Sequence, residues 1–206
     1  GAGLHEISAP VRAFHATPHK VDKFSTAKIG SGEGAQAFGW GLYYAESEAV
    51  SGRGGVYDRQ FQAKTGNPSN IYTVELLPDE ADFLDWDKPI SEQSNPKLAA
   101  LRKAHRAFLA DPAQRISDKG KNGDSLYHML ERQKGSAKAA SEYLASIGIP
   151  GIKYLDGNSR DNGKGTRNYV IFDENLVKIL EENGRKVDNA PFSLAPRSLA
   201  SVADTV

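Results

Sequence analysis

An α+β fold is what the sequence predicts, and three observations carry the prediction. Short runs rich in β-branched and aromatic residues stand at 71–76, 152–155, 168–172 and 176–180. Between the first of these and the rest, 96–147 is dominated by Ala, Leu, Lys, Arg and Glu and repeats its apolar residues at helical spacing. The first third is instead rich in glycine, aromatics and short polar breaks. Strands at both ends with helices inserted between them, and no internal repeat, make this α+β rather than alternating α/β.

Each element follows from its residues. Residues 71–76 end at Pro78 and Asp79, which stop a strand. Over 97–110, Leu98, Leu101, His105 and Phe108 recur at three and four residues, so one helix is expected, ended by Asp111 and Pro112. A short helix is expected over 125–132. Ser136 is placed to cap a further helix whose Ala140, Tyr143, Leu144 and Ile147 share a face, and Gly148 suits the left-handed turn that follows. After Pro150 come a strand at 152–155, a polar glycine-rich loop to Arg167 and a strand at 168–172. Asp173 to Asn175 then turn the chain, and 176–180 is expected to return as the partner strand of a β-hairpin.

With 206 residues, 39% of them hydrophobic, one domain is expected, since about 150 residues make a domain. The run 191–206, with two prolines and three serines and no sustained period, reads as a linker-like tail, leaving 1–190 as the domain and about 96–147 as its helical insertion. The start at Gly1 and this finish fit either a domain excised from a longer chain or a short protein with a loose tail. Lys and Arg number 26 and so do Asp and Glu, so no net charge draws the chain to nucleic acid or to an anionic membrane surface. There is no cysteine, which excludes disulfides, a thiolate zinc site and a cysteine nucleophile. No segment approaches the roughly 18 apolar residues that span a bilayer, so a soluble chain is expected.

Several tempting motifs fail on their chemistry. Gly30 to Gly34 and Gly39-Trp40-Gly41 do not fit the dinucleotide glycine pattern. Gly163-Lys164-Gly165 lacks the Ser or Thr that would reach magnesium after the lysine of a P-loop. His15 and His19 are four apart, but Pro18 lies between them and no third ligand follows, so no metal is expected. His105 and His128 read as satisfied core or edge histidines, and no nucleophile-elbow pattern is present.

Three separated segments remain: Phe14-His15-Ala16-Thr17, the stretch from Gly39 to Glu46 with Tyr43 and Tyr44, and Asn168 to Asp173. In order and spacing they resemble the signature segments of the diphtheria-toxin and poly(ADP-ribose) polymerase branch of the ADP-ribosyltransferases, whose triad is written H-Y-E. The wider wording from Phe14 to Glu46 is most similar to the ADP-ribosyltransferase domains of phage and mobile-element polyvalent proteins, and the likeness covers roughly residues 11–182. It implies a split β-sandwich carrying the helical insertion between its central and C-terminal strands.

The resemblance also implies NAD as substrate and no metal. His15 would bond the adenosine-side ribose, the main chain of Ala16 would hold the carboxamide, and Thr17 completes that segment of the site. Tyr43 would stack on the nicotinamide ring, Ser51, eight residues on, would bond the carboxamide oxygen, and Tyr57 would form a second aromatic wall. Where the family carries its catalytic glutamate this chain has Asn168, which can accept the ribose hydroxyl but supplies no charge, a loss worth about a hundredfold to a thousandfold in rate. Glu33, Glu46, Asp156 and Asp161 are the carboxylates available to compensate. The implied activity is mono-ADP-ribosylation of a host protein, in a bacterial cytoplasm reached with a phage or mobile element. The alternatives are an NAD glycohydrolase and a non-catalytic NAD or ADP-ribose binding module. Arg160, Lys164 and Arg167 keep a nucleic-acid acceptor in view as the lesser expectation, and no membrane partner is implied.

Overall fold

The computed structural model describes residues 10–30, 36–114, 120–157 and 165–187. The linker-like tail and the loop charges Glu33, Arg160, Asp161 and Lys164 lie outside them. Eight strands form one mixed sheet: β1 (Val11–Thr17), β2 (Leu42–Ala45), β3 (Asn70–Leu76), β4 (Leu84–Asp85), β5 (Gly151–Leu155), β6 (Arg167–Ile171), β7 (Val177–Glu182) and β8 (Arg185–Lys186). Their order across the sheet is β4-β5-β6-β2-β1-β3-β7-β8. All neighbours run antiparallel except β4 and β5.

The centre of this sheet is its weakest seam. β1 pairs with β3 along its whole length but meets β2 at one register position, Phe14 opposite Ala45. Two leaves, β4-β5-β6-β2 and β1-β3-β7-β8, are thus joined at a point and open away from it. Because side chains alternate along a strand, β2 and β6 feed two cores. Tyr43 and Val170 pack with Ile152, Tyr154 and the inserted helices, while Tyr44, Tyr169 and Ile171 pack with Phe24, Tyr72 and Phe83 on the other face.

The insertion is helical as expected. It comprises α3 (Pro96–Ala99), α4 (Arg102–Ala110), α5 (Gly123–Lys134) and α6 (Ala137–Ser146), between β4 and β5. Ser136 caps α6, its Oγ accepting from Ala139 N at 3.0 Å, and Gly148 beyond it has a φ of +89°. Two expectations are corrected. The helix over 97–110 breaks at Ala100, where Leu101 N donates to Leu98 O across three residues instead of four, yet Leu98, His105 and Phe108 all stay buried. The expected hairpin does not form: β6 is flanked by β2 and β5 and has no free edge, so Glu174–Leu176 turns the chain across to the outer side of β3, where β7 pairs.

Two elements precede the insertion, α1 (Glu48–Ser51) and α2 (Val56–Thr65). Both pack against β1, and α1 also meets β2. Among the described residues no helix is long and apolar enough to cross a membrane.

Candidate active site

The seam between β1 and β2 is spanned by a side chain. Past Phe14 and Ala45 the ladder stops, and His15 Nδ1 lies 2.8 Å from the carbonyl oxygen of Tyr43. A carbonyl can only accept, so Nδ1 carries the proton and donates it. Burial pushes the His15 pKa below the ordinary value, opposed by the bond to Tyr43, so the ring is held neutral and its Nε2 is a bare acceptor. Phe24, edge-on at 5.1 Å, and Tyr44, at 5.6 Å, fix the ring plane.

Beyond His15, the β1 edge that faces β2 has no strand partner at Ala16 and Thr17, although both residues are buried and paired with β3 on the other side. Such an edge is extended backbone able to bond a planar amide. Thr17 Oγ1 is used locally, accepting from His19 N at 3.2 Å where the chain bends at Pro18. Ser51 is buried at the end of α1.

Tyr43 is anchored at its hydroxyl. It donates to Gly39 O at 2.5 Å and accepts from Phe38 N at 3.0 Å, and burial pushes its pKa well above the tyrosine range. Gly39 is required in this turn, since its φ is +100° and a Cβ there would sit 2.7 Å from Ile152 Cδ1. The turn in turn lays Phe38 flat on Tyr154, with centroids 3.8 Å apart and planes within 3°.

Tyr154 stands directly opposite Asn168, which stands opposite Ala45, so these residues, Tyr43 and Val170 share one face of β5, β6 and β2. Asn168 Oδ1 is buried without a hydrogen-bond partner, one of three such atoms together with Tyr44 Oη and Glu75 Oε2 among the described residues. Tyr57, at the start of α2, is 47% exposed. Tyr43 and Tyr154 meet edge to face with ring centroids 6.4 Å apart, on the same face of the sheet as the unpaired carbonyl of Asn168.

The sequence-derived residues are distributed accordingly. Tyr43 and Asn168 share one face of the sheet, and Tyr57 lies exposed at the start of α2. His15 leaves the sheet with Tyr44 on the opposite face and reaches the same seam through the Tyr43 backbone. Of the candidate carboxylates, Glu46 is committed, its Oε2 accepting from Arg167 N at 3.0 Å while its own N–H donates to Arg167 O at 3.0 Å. Asp156, half-buried after β5, is near enough to raise the Tyr154 pKa. Among the described residues no three His, Asp or Glu side chains are grouped to hold a metal.

Tyr154 and Phe38 were not singled out from the sequence. Tyr154 sits in an apolar run where an aromatic reads as core; the signal that finds it is its cross-strand position opposite Asn168. Comparison of the chain with models of protein families, with curated proteins and with solved structures gave no match.

Proposed function

We propose that the seam between β1 and β2 is an NAD site and that the protein is a mono-ADP-ribosyltransferase acting on a macromolecular acceptor, a host protein in the first instance. The observation that carries the reading is the buried, unpartnered Oδ1 of Asn168, at the position where the resembled family holds its ribose-binding glutamate. A buried carbonyl without a donor costs about 1–3 kcal/mol, which a bound hydroxyl would recover. The rings of Tyr43 and Tyr57 offer π-faces to the cationic pyridinium, the free edge of Ala16 and Thr17 offers main-chain groups to its carboxamide, and His15 Nε2 offers an acceptor to the second ribose.

The chemistry asks little more of the protein. The bond between C1′ of the ribose and the pyridinium nitrogen breaks with its electron pair going to nitrogen, so nicotinamide leaves neutral and no general acid is needed. An acceptor nucleophile forms the new bond to C1′ and gives up its proton. What remains is to hold the ribose and stabilise cationic character at C1′. An amide at 168 does the first and not the second, so slow turnover is expected, about a hundredfold to a thousandfold below a site with a carboxylate there.

Incubating the protein with NAD labelled in the ADP-ribose part and a bacterial lysate should label a protein band, and His15→Ala or Tyr43→Ala should abolish it. Nicotinamide release without a labelled band would select the glycohydrolase reading. NAD binding by calorimetry without nicotinamide release would select a binding module, and no binding at all would overturn the site.

A further inference from the structure

We propose that Arg53 is a positioning residue that ties the glycine-rich turn after α1 to the β1–β3 leaf, and so fixes Ser51 relative to the free edge of Ala16 and Thr17. The inference rests on the reading of the seam as an NAD site and adds to it a residue outside the three resembling segments. The groups offered to the carboxamide come from two segments, Ser51 at the end of α1 and the main chain of β1. α1 is one turn of four residues and is followed by Gly52, Gly54 and Gly55. So short a helix has little stability of its own, and glycines leave the chain beyond it many conformations. Something else must fix where Ser51 stands.

Arg53, in the middle of that turn, does so with a fork of bonds to three segments. Nη1 donates to the main-chain oxygen of Ser69, just before β3, at 2.7 Å and to Asp58 of α2 at 3.3 Å. Nη2 donates to Asn183 Oδ1, in the turn between β7 and β8, at 2.8 Å. Asn183 passes the connection on. Its N–H donates to Ile71 O at 2.7 Å and its Oδ1 accepts from Ile71 N at 2.9 Å, so it binds both main-chain groups of the β3 residue opposite Ala16. Its Nδ2 donates to Asn70 Oδ1 at 3.1 Å, which keeps Oδ1 toward Arg53. One chain of bonds thus runs from the turn after Ser51 through Arg53 and Asn183 to the strand partner of Ala16. A lysine, a single point charge at the end of its stem, cannot make this fork.

Two variants cut the chain at one bond from either side. Arg53→Lys keeps the charge and loses the fork. Asn183→Gly removes the acceptor, and glycine suits the φ of +52° found there. The calorimetric Kd of the full chain is measured for NAD and for ADP-ribose, which lacks only the nicotinamide. Each substitution should weaken NAD about tenfold, the worth of one hydrogen bond to a charged group. ADP-ribose should weaken less than twofold, since only the groups facing the carboxamide are displaced. The double variant should lose clearly less than the product of the two single losses, because both cut the same bond. Losses shared equally by ADP-ribose, no loss for NAD, or losses that multiply in full would overturn the role of Arg53 while leaving the NAD site standing. A native protein that binds no NAD would overturn the site itself and this role with it.

Discussion

At the proposed NAD site, His15 would set the acid limit. Its folded pKa lies below the ordinary 6.5 because burial disfavours the charged ring, so as pH falls the unfolded chain takes up the proton before the folded one. The contribution of the neutral ring is therefore fully present above about 6.5 and is lost as pH drops through the lower folded value. Protonation also places a proton on Nε2 and removes the proposed acceptor. NAD affinity should then fall on acidification with a midpoint below 6.5, and His15→Gln, which titrates nowhere in this range, should flatten the profile measured by calorimetry. Asn168→Asp tests the other residue. It keeps the side-chain shape and adds the charge that the amide lacks. Nicotinamide release should rise on the order of a hundredfold; an unchanged or lower rate would show that charge at this position is not what limits turnover.

At the scale of elements, α2 illustrates what sequence periodicity misses. Asp58 is its one buried residue, so the helix is anchored by a carboxylate and not by an apolar stripe. Asp58 accepts from Gly54 N at 2.7 Å, Ser69 N at 3.1 Å and Ser69 Oγ at 2.7 Å, and pairs with Arg53 at 3.3 Å. Burial would raise its pKa, but these bonds together outweigh burial and hold it below the ordinary 3.8. Its stabilisation is thus present above about pH 3.8 and is lost as pH falls through the folded value. Asp58→Ala should cost about 2–3 kcal/mol by denaturant titration and, by loosening the turn that aims Tyr57, should also weaken NAD binding. Ser125→Ala is the control away from the seam. His105 Nε2 is closely bonded to Ser125 Oγ, both buried, and joins α4 to α5. The substitution should cost about 1–3 kcal/mol and leave NAD affinity unchanged. The missed hairpin has an equally local origin. Strands adjacent in sequence pair about two-thirds of the time, and Asp173 to Asn175 look like a turn between two of them. What decides the pairing is that β2 and β5 already occupy both edges of β6, which no local reading contains. By contrast β3, α6 with its Ser136 cap, and β5 were legible, because their own residues dictate them.

Across the whole molecule, two cores share one sheet. Tyr43 and Val170 face one, Tyr44 and Tyr169 the other, so neither core can be lost without stripping β2 and β6 from the second. Heat unfolding followed by tyrosine environment and by backbone signal should therefore give one coincident transition; two separated transitions would mean that the single Phe14–Ala45 contact lets the leaves unfold independently. The site arises at this same scale. Its segments were legible as Phe14 to Thr17, Tyr43 and Asn168, but their meeting at a seam was not, because it depends on where two leaves part. The central claim is that this seam closes on a dinucleotide, and a crystal structure grown with NAD tests it most directly. The predicted result is a ribose hydroxyl within hydrogen-bonding distance of Asn168 Oδ1 and a pyridine ring against Tyr43 and Tyr57. A dinucleotide bound elsewhere, or Asn168 Oδ1 still unpaired beside one, would contradict it.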